Sequence, residues 1–143
     1  MELLNVTIRN FRGIKDQNIE LKPGFNLIKG ENGKGKTSVL EAIAVGLGGF
    51  VAGLEGVSTR HFTSDEVRTE FFRVGDGSYG KKHFVPVEVT LKADLYGKEF
   101  QWTRGKSSIK ASRSTIQPRD ICRRAEIMAE NPKIELPVLA YLG

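Results

Sequence analysis

The chain is 143 residues long, 39% hydrophobic and 27% charged, the balance of a folded globular protein and not of a disordered one. No apolar run approaches the ~20 residues that span a bilayer, the start Met1-Glu2-Leu3-Leu4-Asn5 lacks the basic and apolar stretches of a secretory leader, and a lone Cys122 excludes an internal disulfide. We expect a cytoplasmic protein with no membrane contact, and the net charge of +5 points to an anionic partner.

Leu4, Val6 and Ile8 alternate with Asn5, Thr7 and Arg9, the pattern of a half-buried strand. Ile19 and Leu21 alternate again before Pro23-Gly24, a turn that sends the chain back. Phe25–Lys29 then reads as a buried strand running into Gly30-Glu31-Asn32-Gly33-Lys34-Gly35-Lys36-Thr37. That run fits G-x-x-x-x-G-K-[ST], the P-loop, whose glycines let successive backbone N–H groups point into one concavity and meet phosphate oxygens. Lys36 would add a positive charge at the β/γ-phosphates, and the Thr37 hydroxyl would take one Mg²⁺ position. From Thr37 the pattern predicts a helix with Val39, Ile43, Leu47, Val51 and Leu54 on its inward stripe. Strand, glycine loop and helix N-terminus together favour bound phosphate through the helix dipole. The helix carries Gly46, Gly48, Gly49 and Gly53, each costing ~1 kcal/mol against alanine. We read them as one helix with a soft end; close backbone packing is the alternative.

Gly75–Gly80 reads as a loop. In Phe84–Leu95, Val85, Val87, Val89, Leu91, Ala93 and Leu95 alternate strictly, with Pro86 suggesting a sheet edge. Tyr96-Gly97-Lys98 turns this strand into a second one through Phe100 and Trp102, a hairpin. Lys106–Ser114 reads as an exposed loop, and the basic residues Arg104, Lys106, Lys110, Arg113, Arg119, Arg123 and Arg124 as a solvated loop and helix face, with nucleic-acid phosphates as the alternative. Arg119–Asn131 is predicted as a helix with Ile121, Ala125, Met128 and Ala129 inward, stopped at Asn131-Pro132. Leu136–Leu142 is an apolar run of buried-strand type with one residue after it, so we expect the first part of a larger protein. His61 and His83 lack metal-ligand spacing, and Cys122, though beside Arg123 and Arg124, reads as an ordinary packed thiol.

Asn10-Phe11-Arg12-Gly13-Ile14, the Gly-x-Asn-Gly-x-Gly-Lys form of the P-loop and Leu40-Glu41-Ala42-Ile43 together carry a resemblance. Over residues 1–47 the chain resembles the N-terminal part of the ABC-type ATPase heads related to structural-maintenance-of-chromosomes (SMC) proteins, RecF and SbcC. His61-Phe62, Ser64–Arg68 and Leu136–Leu142 are similar to AAA ATPases of bacterial anti-phage systems that work with an HNH-type nuclease. The resemblance implies an α/β P-loop NTPase lobe with antiparallel strands, a hairpin and the P-loop helix, incomplete at its C-terminus. Its expected parts are 1–56, with strands, P-loop and first helix; 57–105, with the hairpin; and 106–143, with the basic loop, a helix and the start of a core strand. It implies ATP and Mg²⁺ as ligands, an ATP-dependent homodimer of the full-length protein, and DNA and a nuclease as partners. Carried over by position, Lys36 resembles the phosphate lysine and Thr37 the Mg²⁺ ligand, while Asn32, Gly33, Lys34, Gly35, Lys36, Thr37 and Ser38 resemble the phosphate-binding backbone. The Arg12 position lies near the nucleotide in such heads. Glu41, four residues past Thr37, reads as a salt-bridged or solvated helix face and not as a catalytic base.

Two parts of an ABC-type head are missing from these residues: an apolar strand ending in Asp-Glu, and a Ser-Gly-Gly-type loop before a helix. No catalytic residue is therefore assigned, and hydrolysis is expected only in the full-length protein. A truncated, non-catalytic nucleotide- or partner-binding module is a second reading, and a small P-loop phosphotransferase a third. No Asn/Thr-Lys-x-Asp motif supports a GTPase, and Ser38 stands where a dinucleotide fingerprint needs its third glycine.

Overall fold

The computed structural model describes residues 1–29, 35–137 and 139. Strands β1 (Glu2–Phe11) and β2 (Ile14–Glu20) precede helix α1 (Lys36–Val51); a short 3-10 turn (Ser64–Glu66) leads to β3 (Thr69–Arg73) and β4 (Tyr79–His83). Strands β5 (Val87–Leu95), β6 (Lys98–Lys106) and β7 (Thr115–Gln117) are followed by α2 (Asp120–Glu130). Five strands form one antiparallel sheet in the order β2-β1-β5-β6-β7, and β3-β4 form a separate two-stranded ribbon.

Period-two patterning explains the sheet. Val87, Val89, Leu91, Ala93 and Leu95 all face inward and are fully buried, opposite Val6 and Ile8 of β1 and Trp102 of β6. The other face is polar, with the Thr90 and Thr103 hydroxyls 2.7 Å apart across the β5–β6 pair. Tyr96 and Gly97 turn that hairpin with φ of 53° and 85°, the left-handed pair that a two-residue turn requires. The expected sheet edge at Pro86 is corrected. β5 is the middle strand of five, and Pro86 lies before its first paired residue, where it removes no ladder bond.

Helix α1 lies on the buried face as one unbroken element, and its glycines are contact points. A Cβ at Gly46 would stand 2.8 Å from Leu91 Cδ1, and one at Gly49 would stand 2.5 Å from Trp102 Cδ1. Trp102 donates its indole N–H to the Gly46 carbonyl at 2.8 Å. The inward stripe is therefore Val39, Ala42, Val45-Gly46 and Gly49-Phe50, while Ile43, Leu47, Val51 and Leu54 are only partly buried. The stripe expected from the sequence advanced in steps of four. Each such step overshoots the 3.6-residue turn by about 40°, and three of them leave the packed face.

Three other expectations change. Phe25–Lys29 forms no strand: Asn26 closes the turn on itself by accepting from Lys22 N at 2.9 Å and donating to Lys22 O at 2.8 Å. Phe25 and Leu27 are left 89% and 66% exposed. The segment read as a loop at Gly75–Gly80 contains the start of β4, hidden because Tyr79–His83 has no apolar alternation. Leu136 is 41% exposed and outside any strand, while Val138 and residues 140–142 of that run lie outside the described residues. Helix α2 forms as predicted, with Ile121, Ala125 and Met128 buried and Cys122 in place of the exposed Ala129.

Candidate functional site

Helix α1 starts at a glycine in the left-handed conformation, Gly35 with φ 89°. Glycine offers no capping side chain, and the first turn holds no acidic residue. Among the described residues no side chain caps the N–H groups of that turn, which lie at the positive end of a 16-residue helix. Lys36 and Ser38 are half-buried there, and Thr37 is exposed. A hydroxyl, an ammonium and an uncapped N-terminus form a donor set suited to a phosphate chain and its Mg²⁺. Among the described residues no cluster of three His, Cys, Asp or Glu side chains could hold a metal by itself. Asn32, Gly33 and Lys34 lie outside the described residues.

The β1–β2 turn comes to the same helix. Arg12 sits in that turn with φ 51°, and its Nε lies 2.6 Å from Glu41 Oε2. Glu41 is four residues beyond Thr37, about 6 Å further along the axis, so the pair fixes Arg12 roughly one turn from the helix start. Glu41 is thus salt-bridged, one of the two readings its place on the helix face allowed.

A second acidic group completes the cluster. Glu66 is fully buried, and its carboxylate accepts from the Thr63 backbone N–H and hydroxyl, both at 3.0 Å, and from the Arg60 guanidinium. Arg60 also donates to the Glu41 carbonyl at 3.2 Å, and Arg12 lies 3.8 Å from Glu66 Oε2. The backbone follows, with Arg12 N donating to Glu66 O at 2.7 Å and Arg68 N to Asn10 O at 2.8 Å. Replacing Glu66 with alanine would remove the buried carboxylate that accepts from Thr63 and Arg60. We expect a loss of about 1–3 kcal/mol, read as a lower denaturant midpoint at unchanged slope.

Behind this segment stands Arg104, fully buried, donating to the Arg60 carbonyl at 3.0 Å and to His61 Nδ1 at 3.2 Å. His61 Nδ1 also accepts from Ser114 N at 3.0 Å, which requires the neutral ring. Burial, then the charges of Arg104, Arg113 and Lys106, hold its pKa below the usual histidine value and keep it so. Lys106, 6% exposed, donates to the Phe62 carbonyl. The solvated basic face expected from the sequence is corrected at these two positions. Alternation along β6 carries Trp102, Arg104 and Lys106 inward together. Cys122 is buried with its thiol 3.2 Å from the Gly49 carbonyl, and burial pushes that thiol up in pKa. Its neighbouring arginines do not make it reactive.

Residues 5–143 match the AAA_23 family, described as an AAA domain. The chain belongs to that family. Similar curated relatives include the DNA replication and repair protein RecF of Citrobacter koseri, of Edwardsiella ictaluri and of Escherichia coli. Each is 56% identical over 43 residues, 30% of this chain and 12% of the relative. The AAA_23 chain thus spans about an eighth of the length of those proteins. A solved structure, from "Structural biochemistry of ATP-driven dimerization and DNA stimulated activation of SMC ATPases", superposes with a TM-score of 0.55 at 20% identity. The overlap covers 89% of this chain and 80% of that one. The likeness is one of fold: the antiparallel sheet with α1 matches the fold of that SMC ATPase chain.

Within this AAA_23 domain the structure brings Arg12 to α1, the helix that Lys36, Thr37 and Ser38 open. Sequence reasoning missed Arg60 and Glu66 as members of the cluster. Thr63 and Glu66 form a capping box, a three-residue spacing that was legible in principle. Among the described residues no helix is long and apolar enough to cross a membrane.

Proposed function

We propose that this chain is the ATP-binding part of a DNA-related ABC-type ATPase head. The observation that carries it is the uncapped N-terminus of α1 at Gly35, with Lys36, Thr37 and Ser38 in its first turn and Arg12 tied to the same helix through Glu41. In this reading Lys36 and the first-turn N–H groups hold the β/γ-phosphates, together with Asn32, Gly33 and Lys34. Thr37 holds Mg²⁺, and Arg12 stands beside the nucleotide. Bound Mg²⁺ supplies charge neutralisation across the phosphates. The AAA_23 match and the SMC-like fold support an ATPase head, and the RecF likeness supports a role in DNA repair. Dimerisation around ATP, action on DNA, a nuclease partner, anti-phage defence and a cytoplasmic setting belong to the same reading, for the protein in full. A phosphotransferase has less support, because an antiparallel five-stranded sheet beside the P-loop helix is the architecture of the SMC-type lobe.

Calorimetric titration of ATP with and without Mg²⁺, and of GTP, tests the reading. ATP should bind more tightly with Mg²⁺ and only weakly better than GTP; a strong GTP preference would sink it. Phosphate release from the chain alone should stay at background. Holding the ground state without added transition-state contacts does not raise turnover, and the Asp-Glu strand and serine loop are not in these residues. Multiple turnover that depends on Lys36 would show a catalytic carboxylate within the chain.

A further inference from the structure

The β3–β4 ribbon stands apart from the main sheet, and its two faces differ. Direct cross-strand pairs share a face, and alternate residues do so along each strand. Thr69–His83, Phe71–Lys81 and Arg73–Tyr79 therefore share one face, and Glu70–Lys82 and Phe72–Gly80 the other. Phe72, 51% exposed, lays its ring across Gly80, where a Cβ would stand 2.1 Å from Phe72 Cζ. Phe71 and Tyr79 have no such cover and are 71% and 72% exposed.

From this juxtaposition we infer that the Phe71/Arg73/Tyr79/Lys81 face of the ribbon is a contact surface for single-stranded nucleic acid. Two aromatics and two cations occupy its outer pairs in a checkerboard, with no acidic residue among the three pairs. Lys81 Nζ lies 5.9 Å from the centre of the Phe71 ring, so cation and ring share the surface. Phe71 and Tyr79 are diagonal neighbours, a relation that puts residues about 7–8 Å apart and within reach of one ligand. A polyanion with flat apolar faces matches that pattern: bases stack on the rings while Arg73 and Lys81 meet phosphates. A duplex hides its base faces, and an acidic peptide has no flat face for each ring.

The inference rests on the DNA-related part of the proposed function and is independent of the ATP site, so the two are measured separately. Anisotropy titrations of the full chain with a labelled single-stranded oligonucleotide, a matching duplex and anionic phospholipid vesicles compare wild type with four variants. Phe71→Ala/Tyr79→Ala should weaken single-strand binding about tenfold or more, and Phe71→Leu/Tyr79→Leu should weaken it similarly, since leucine keeps apolar bulk but offers no stacking plane. Arg73→Gln/Lys81→Gln should reduce the salt slope by about 0.7 for each charge. Lys98→Gln, one lost charge elsewhere, should leave stacking-dependent affinity unchanged. Circular dichroism and ATP titration of each variant should match wild type, because all four changes are at exposed positions. Wild-type oligonucleotide binding that survives both double aromatic variants would overturn the ribbon site and leave the DNA reading standing. Leucine variants that bind as well as wild type, or binding to vesicles in place of oligonucleotide, would also overturn it. No nucleic-acid binding by wild type that still binds ATP would remove both the ribbon site and DNA contact through this chain, leaving the ATP site intact.

Discussion

Replacing Lys36 with alanine should weaken ATP binding roughly ten- to a hundredfold while leaving the fold intact. The ammonium makes charge-assisted hydrogen bonds to phosphate, each typically worth ~1.5–3 kcal/mol. Lys36 is the first residue of α1 and only half-buried, with no place in the hydrophobic core. Its removal should therefore change affinity and not the melting point of the ligand-free protein. The contrast has a second reading: ATP should raise the melting point of the wild type far more than that of Lys36→Ala, because a ligand stabilises in proportion to its affinity. Equal affinities in two folded proteins would end the P-loop reading.

The largest effect on stability is expected where α1 meets β6. Trp102 is fully buried, packs on Gly49 and donates to the Gly46 carbonyl. Truncation to alanine should destabilise the chain by about 3–5 kcal/mol, a large share of the ~5–15 kcal/mol that holds a domain together. Gly49→Ala is the sharper test. By helix propensity alone it should stabilise α1 by ~1 kcal/mol. A Cβ there would meet Trp102 Cδ1 and Nε1 at 2.5 Å, and overpacking of that kind costs about 1–3 kcal/mol. The expected sign is therefore reversed, and urea denaturation would read it as a lower midpoint. A stabilised Gly49→Ala would show that the helix stands further from the sheet than these contacts place it.

Local periodicity carried much of the fold. β1, β2, the β5–β6 hairpin and α2 follow from alternation and helical spacing in their own residues. The buried stripe of α1 did not, because three of its buried positions, Gly46, Gly48 and Gly49, are glycines, which carry no hydrophobic signal and become legible only against Leu91, Arg104 and Trp102. Gly53, just past the end of α1, is hidden in the same way: a Cβ there would lie 2.1 Å from the Cys122 carbonyl oxygen, a contact between segments far apart in sequence. Arg104 was misread for a related reason. A buried guanidinium is rare enough that composition argues against it, and only its phase with Trp102 on β6 points inward. At the candidate site, the G-x-x-x-x-G-K-[ST] spacing was plain in the sequence. The ion-pair cluster was not, since Arg12, Glu41, Arg60 and Glu66 meet through three separate segments.

The glycine-lined contact also bears on how α1 can move. A helix of 16 residues is a rod about 24 Å long. Side chains usually act as a cushion between such a rod and the sheet beneath it, allowing small rolls and slides. Here the far half of the rod rests on bare backbone, keyed against Leu91 and Trp102 and abutting the Arg104 guanidinium at Gly48. A rod seated in notches has little freedom to roll. At Gly48 the notch is closed by the Arg104 guanidinium, which is itself tied to the carbonyl of Arg60, so the seat of the rod is anchored in turn to the segment that carries Glu66.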